Sequence, residues 1–390
     1  MTMVLDEVVG RETRHVLQTY RRQPVTFVRG QGVRLWDADG REYFDLLSGI
    51  GVAALGHAHR GLARAIAEQS ETLIHTSNLF YHPLQGELAE RLANLSGLPR
   101  AFFCNSGTEA VEACLKFARR YWYTKGEPRA EIIALEESFH GRTMGALSVT
   151  GQPGKREAFE PLLPHVQFAS PNDIASLDAS ISSDTGCILL EPVQGEGGVH
   201  VLEASFVDAA RRLADETGAV LLFDEVQTGV GRTGAFFAYE HVSVRPDALM
   251  LAKGLANGLP IGCLLVFDEA PEGFAAGDHA STFGGNPVAC AAASAVCDEL
   301  TDELLATVTA NGLLLADGLA ALPGVREVRG VGLMLGAELD RPAADVVAAC
   351  TEQGLLVGTA GANVVRLTPP LIVTTAELED ALGVLEEVLA

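Results

Sequence analysis

Short apolar runs alternate with amphipathic stretches through the middle of the chain. In "RLADETGAVLLF" a helical stretch closes at Gly218 and a strand begins at once. Glycine at that point supplies the left-handed turn that ends helices. "GCILLEPVQG" and "GAVLLFDEVQTG" each read as a buried strand that ends in a carboxylate. Phe102, Phe103 and Cys104 form another strand pattern, after which Val111, Cys114, Leu115, Ala118, Tyr121 and Trp122 fall at helical spacing. Leu249 to Ala252 is one more apolar run. This rhythm predicts an α/β fold with a mostly parallel central sheet flanked by helices. Both ends differ from the middle. "VTFVRGQGVRLWDADGREYFD" carries short strand patterns, whereas residues from 289 onward mix long helical stretches, such as "ACAAASAVCDELTDELLATV", with short strands. The pattern predicts a large domain over residues 46–288. A smaller α+β domain is expected from both chain ends, residues 1–45 and 289–390.

Composition narrows the class. Apolar residues make up 48% of the 390 positions and charged residues 20%, an ordinary globular balance. The net charge of −23 argues against nucleic acid and acidic membrane as partners. No apolar run is long enough to span a membrane. "MTMVLDEVVGRETRHVL" lacks the basic-then-apolar layout of a secretory leader. The seven cysteines are scattered singly, so free and mostly buried thiols in a reducing cytoplasm are expected. No zinc-like cluster is present, and no metal is expected. Lysine occurs only at positions 116, 125, 155 and 253, so candidates for a reactive amine are few.

Three stretches carry chemistry. "CNSGTEAVEA" places a small, hydroxyl-rich turn between a strand and a helix. Free N–H groups and the positive end of the helix dipole make such a turn an anion site, although Ser106 or Thr108 would equally serve as a plain helix cap. Asp224, at the end of "AVLLF", stands where ligands bind in such folds, beyond the carboxyl ends of strands. A structural ion pair is the plainer reading. Lys253 follows another strand and is crowded by Gly254, Gly258 and Gly262, a setting that a surface lysine does not need. "GVGRTG" at 229–234 matches a dinucleotide fingerprint literally, but "DEVQT" separates it from the strand, so it reads as a loop.

Together, an anion nest, a strand-end carboxylate and a strand-end amine are what pyridoxal 5'-phosphate requires: a phosphate seat, an acid for the pyridine nitrogen and an amine for the aldehyde. With "SFHGRT", "EPVQGEGG", "LLFDEVQTGVGRTG", "LAKGLANGLPIG", "STFGGNP" and "VVRLTPPL" in that order, nearly the whole chain resembles the class III, fold-type I aminotransferases, and among them the acetylornithine group. The resemblance implies the following roles. Lys253 links covalently to the cofactor aldehyde and then moves a proton. Asp224 partners the pyridine nitrogen. Ser106, Gly107 and Thr108 hold the phosphate. Phe139 stacks on the ring beside His140, and Gln227 contacts the ring hydroxyl. Thr282 reaches the phosphate of the neighbouring subunit, so the implied enzyme is a homodimer with shared active sites.

For substrates, the resemblance implies that Arg142 clamps the α-carboxylate of the donor and the distal carboxylate of 2-oxoglutarate. Arg366 clamps the α-carboxylate of the oxo acid, Glu196 gates Arg366, and Tyr20 contacts substrate. The implied reaction moves the terminal amino group of N2-acetylornithine to 2-oxoglutarate, giving N-acetylglutamate 5-semialdehyde and glutamate in arginine biosynthesis. "HTSNLFYHPLQ" and the overall length favour that donor. Arg60, Gly358 and the pair Ala256-Asn257 depart from the usual pattern without removing a catalytic group. Ornithine, succinylornithine, 4-aminobutyrate and carrier-linked aminoadipate semialdehyde enzymes share most of these motifs. Racemases or aminomutases of the class, and a non-catalytic relative, stay open as well.

Overall fold

The computed structural model describes residues 3–242, 244–267 and 273–390. Its centre is a seven-stranded sheet. In spatial order the strands are Arg100–Cys104, Gly262–Val266, Ala248–Leu251, Val220–Asp224, Thr185–Leu190, Glu131–Leu135 and Val166–Ala169. Gly262–Val266 alone runs opposite to the other six strands. The mostly parallel α/β architecture is therefore as the sequence predicts.

These strands read as continuous apolar runs because helices cover both faces. Alternate residues divide between the two. Cys187, Leu189, Val220, Leu222, Ala248 and Met250 pack with Val111, Cys114, Phe117 and Ala118 of the helix Gly107–Thr124. Ile188, Leu190, Leu221, Phe223, Leu249 and Leu251 face the other way, toward Phe206, Ala210 and Leu213 of the helix Ala204–Thr217. That helix ends at Gly218, whose φ of +76° is the expected left-handed cap. All seven cysteines are free and buried.

The two chain ends meet. Leu355–Leu356 pairs parallel with Glu42–Asp45, completing a sheet with Phe27–Gln31 and Arg34–Asp37. Val33 and Leu46 share one apolar core with Val308, Leu335, Leu367 and Leu385. A further sheet, Val325–Val331, Met334–Leu339, Val364–Leu367 and Gly358–Thr359, carries Arg366 on its third strand. The sequence pattern had assigned only strands before residue 45, but Met3–His15 is helical. Val4, Leu5, Val8 and Val9 are half-exposed or exposed, so no clear buried stripe marks it. The long helical stretch after residue 289 is two helices, Pro287–Glu299 and Asp302–Ala320, because the Thr301 side chain caps the second by accepting from the Leu304 N–H. The "GVGRTG" segment is a loop of turns, with Val230, Gly231 and Gly234 all at positive φ.

Candidate active site

The carboxyl ends of the parallel strands open on one cavity of about 380 Å³. Ser106, Gly107, Thr108, Phe139, His140, Arg142, Asp224, Gln227 and Lys253 all line it. Residues scattered over nearly 150 positions thus converge at the one sheet edge where such folds hold ligands.

The anion nest is the start of the helix Gly107–Thr124. Ser106 is its N-cap, accepting from the Glu109 N–H at 3.3 Å and donating to the Glu109 carboxylate at 2.9 Å. Ser106 therefore caps this helix, and its hydroxyl donates to Glu109 in this arrangement. The N–H groups of Gly107 and Thr108, which have no acceptor within the helix, remain for an anion. Gly107 is required by packing: a Cβ there would stand 2.7 Å from Cγ1 of Val226. The Thr108 hydroxyl is 2.8 Å from that of Thr143 and joins the nest to the loop carrying Arg142.

The "DE" pair divides its labour. Glu225 turns inward, where its buried carboxylate accepts the N–H groups of Ala238 and Tyr239 at 2.7 and 3.0 Å. Asp224, 5% exposed, faces the cavity. One of its oxygens accepts the Val226 N–H at 3.0 Å, and the other lies 2.7 Å from Nδ1 of His140. Burial alone would lower the His140 pKa, but the hydrogen bond and charge of Asp224 outweigh it and the net shift is upward. Nε2 of His140 is buried without a partner.

Lys253 sits one residue beyond the strand Ala248–Leu251, after Ala252, at a φ of +45°. Non-glycine residues rarely adopt that conformation, and they cluster at functional sites when they do. Burial, helped by the Arg366 charge, pushes the Lys253 pKa down to about 8 against the pull of Glu196, Asp224 and Glu191. The surrounding glycines are not equivalent. A Cβ on Gly262 would stand 2.3 Å from the Ser106 carbonyl oxygen, and Gly258 has a φ of +116°, whereas Gly254 has room at 3.5 Å. Gly262→Ala is expected to lower stability by about 2 kcal/mol and Gly254→Ala by less than about 0.5. Urea unfolding of both variants checks this contrast.

Beyond Gln227, the buried guanidinium of Arg366, 3% exposed, donates to the Gly195 carbonyl at 2.8 Å and to the Glu196 carboxylate at 2.5 Å. Burial would raise the Glu196 pKa, but the charge and hydrogen bond of Arg366 outweigh it, so Glu196 stays ionised. Arg142 is exposed at the cavity wall, its guanidinium carbon 5.6 Å from the centre of the Phe139 ring. Arg366 and Glu196 do not line the cavity themselves but reach its edge through Gln227, whose side-chain oxygen accepts from Arg366 at 3.5 Å; two further residues named from the sequence stand apart from it altogether. Tyr20 is 73% exposed near Arg22, and Thr282 is exposed on the loop before Pro287; neither lines the cavity of its own chain.

Sequence reasoning gave no role to Glu191, which also lines the cavity and accepts the Phe139 N–H at 2.8 Å. Its signal was present, since it is the carboxylate that ends "GCILL". Burial raises its pKa, and it fixes the turn that presents Phe139 and His140.

The residues fit pyridoxal phosphate on their own chemistry. A half-buried amine, a buried carboxylate and a helix start with free N–H groups line one cavity beside an aromatic wall. Comparisons agree. The "Aminotransferase class-III" family profile matches residues 17–389. The chain is 46% identical to the acetylornithine aminotransferase of Aquifex aeolicus, over 96% of this chain and 100% of that one. It is 48% identical to the enzyme of that name from Gloeobacter violaceus, over 96% of each. The solved ornithine aminotransferase of Toxoplasma gondii superposes with a TM-score of 0.94 at 32% identity, covering 99% of this chain and 94% of that one. For the N-acetylornithine aminotransferase of Stenotrophomonas maltophilia the TM-score is 0.83 at 35% identity, with 98% of each covered. The chain belongs to the class-III aminotransferases and is a pyridoxal-phosphate-dependent enzyme.

Proposed function

We propose that the enzyme transfers the terminal amino group of N2-acetylornithine to 2-oxoglutarate. The observation that carries this reading is the buried Arg366–Glu196 pair beside Gln227 of the cavity, with the exposed Arg142 on the cavity wall. A donor with one carboxylate needs one cation, and an acceptor with two needs two. Arg142 serves both, while Arg366 is masked by Glu196 until a second carboxylate arrives. The names carried by the relatives support this choice of donor.

Pyridoxal phosphate, when bound, supplies the aldehyde that takes up the amino group and the ring that accepts electrons from the substrate carbon. The chain's own residues do the rest. Gly107 and Thr108 N–H groups bind the phosphate, with Ser106 shaping that turn. Phe139 would wall one face of the ring, and Gln227 would meet the ring hydroxyl. Asp224, oriented by His140, holds a proton at the pyridine nitrogen. Lys253 would anchor the cofactor and, as a free amine, would take a proton from the substrate carbon and return it. An ordinary lysine, with a pKa near ~10.4, would be too basic for this at neutral pH. At about 8 its neutral form is accessible.

The same proposal includes a cytoplasmic homodimer. Leu79, Phe80, Tyr81 and Phe283 form exposed apolar surface next to Thr282, which suits a second copy whose phosphate Thr282 reaches. Tyr20 would contact substrate at the site mouth, and residues 1–45 with 289–390 would form the smaller domain around 46–288. Free, buried thiols suit a reducing compartment. Among the described residues no helix is long and apolar enough to cross a membrane.

A panel of amine donors with 2-oxoglutarate tests the reading. N2-acetylornithine is expected to show a kcat/KM at least about tenfold above ornithine, succinylornithine and 4-aminobutyrate. Preference for ornithine, whose aminotransferase superposes closely, would transfer the assignment to that donor.

A further inference from the structure

Lys155 plays no part in the mechanism so far, yet its charge acts on both members of the Arg366–Glu196 pair. It is half-buried, and its amine lies 4.9 Å from the centre of the Phe139 ring. The Gln152 side-chain oxygen accepts from it. Gln152 is itself anchored, donating to the carbonyls of Glu137 and Ser138 at 3.1 and 3.3 Å. Gly197, next to Glu196, packs against that same Glu137 carbonyl so tightly that a Cβ would stand 2.4 Å from its oxygen. Lys155 and Glu196 therefore flank one turn, Glu137 to Phe139.

This placement answers a question left by the gate. When a second carboxylate takes Arg366, the Glu196 carboxylate must leave its cation in a partly buried place, and an ion that loses its partner there is costly. Arg142 is then occupied by the other carboxylate, and the Lys253 amine is needed neutral. Arg329 is already held by Glu327 and Glu338 at 2.5 and 2.6 Å. We propose that Lys155 is the positioning residue that receives the Glu196 carboxylate when a dicarboxylate occupies Arg366. The charges of Lys155 and Glu196 already act on each other in the resting arrangement. This inference rests on the reading of Arg366 and Glu196 as a gate.

Glutarate and valerate provide the test, since neither has an amine or an oxo group to react. Glutarate spans both arginines, whereas valerate needs one. Calorimetric titration of the cofactor-loaded enzyme is expected to show that Lys155→Met weakens glutarate about tenfold relative to valerate, and that Lys155→Arg restores most of it. Glu196→Ala is expected to tighten glutarate, because Arg366 is left without a partner. Adding Lys155→Met to Glu196→Ala is then expected to cost less than about twofold. An equal loss in both backgrounds means that Lys155 attracts the ligand directly and overturns the proposal. No loss from Lys155→Met, with Glu196→Ala still tightening glutarate, overturns Lys155 and leaves the gate standing. If Glu196→Ala does not tighten glutarate, gate and proposal fall together.

Discussion

Replacing Lys253 by alanine is expected to lower turnover by at least about a thousandfold, because one change removes both the covalent anchor and the proton carrier. The fold is expected to survive. The Lys253 side chain makes no hydrogen bond to another described residue, and its backbone already sits in a strained left-handed conformation that alanine tolerates no worse. The phosphate nest and Asp224 are untouched, so the variant is expected to bind the cofactor noncovalently. Turnover of N2-acetylornithine, together with the cofactor content of the dialysed variant, checks both halves. Wild-type turnover would remove Lys253 from the mechanism. Loss of cofactor and of thermal stability together would make it a structural residue.

Asp224→Asn is expected to give the next largest effect. Asparagine keeps the shape of the side chain, and its amide oxygen retains the Val226 N–H contact, which is 3.0 Å in the wild type. What disappears is the negative charge that holds a proton on the pyridine nitrogen. An electrostatic contribution of this kind is worth ~3–4 kcal/mol, a slowing of roughly a hundredfold or more. His140 supplies a second readout. Its pKa is raised by the hydrogen bond and charge of Asp224 against the downward pull of burial, so in the variant it is expected to fall. Proton NMR of the His140 ring follows that change without reference to turnover. A rate within about threefold of wild type would count against the charge as the source of the effect.

The sheet and most of the site are legible in the sequence for one physical reason. A strand covered on both faces must be apolar throughout, so a polar residue at its end stands out. Asp224 and Lys253 are marked in this way, and so is Glu191, whose partner, the Phe139 N–H, is 52 positions away and invisible to any local pattern. The pairing of His140 with Asp224, 84 positions apart, is hidden for the same reason. Ser106 shows the opposite case: a residue read for its hydroxyl also caps a helix with it, bonding Glu109 three positions on. The helix Met3–His15 escapes because Val4, Leu5, Val8 and Val9 are not deeply buried, and the break at Thr301 because a single cap interrupts an otherwise even helical pattern.

With four lysines in the chain, the covalent role of Lys253 can be read on the polypeptide itself. The cofactor-loaded enzyme would be reduced with borohydride, digested and mapped by mass spectrometry. The cofactor mass is expected on the peptide containing Lys253 and on no other. The same mass on Lys116, Lys125 or Lys155, or an active enzyme that retains no cofactor on any lysine after reduction, would contradict that role.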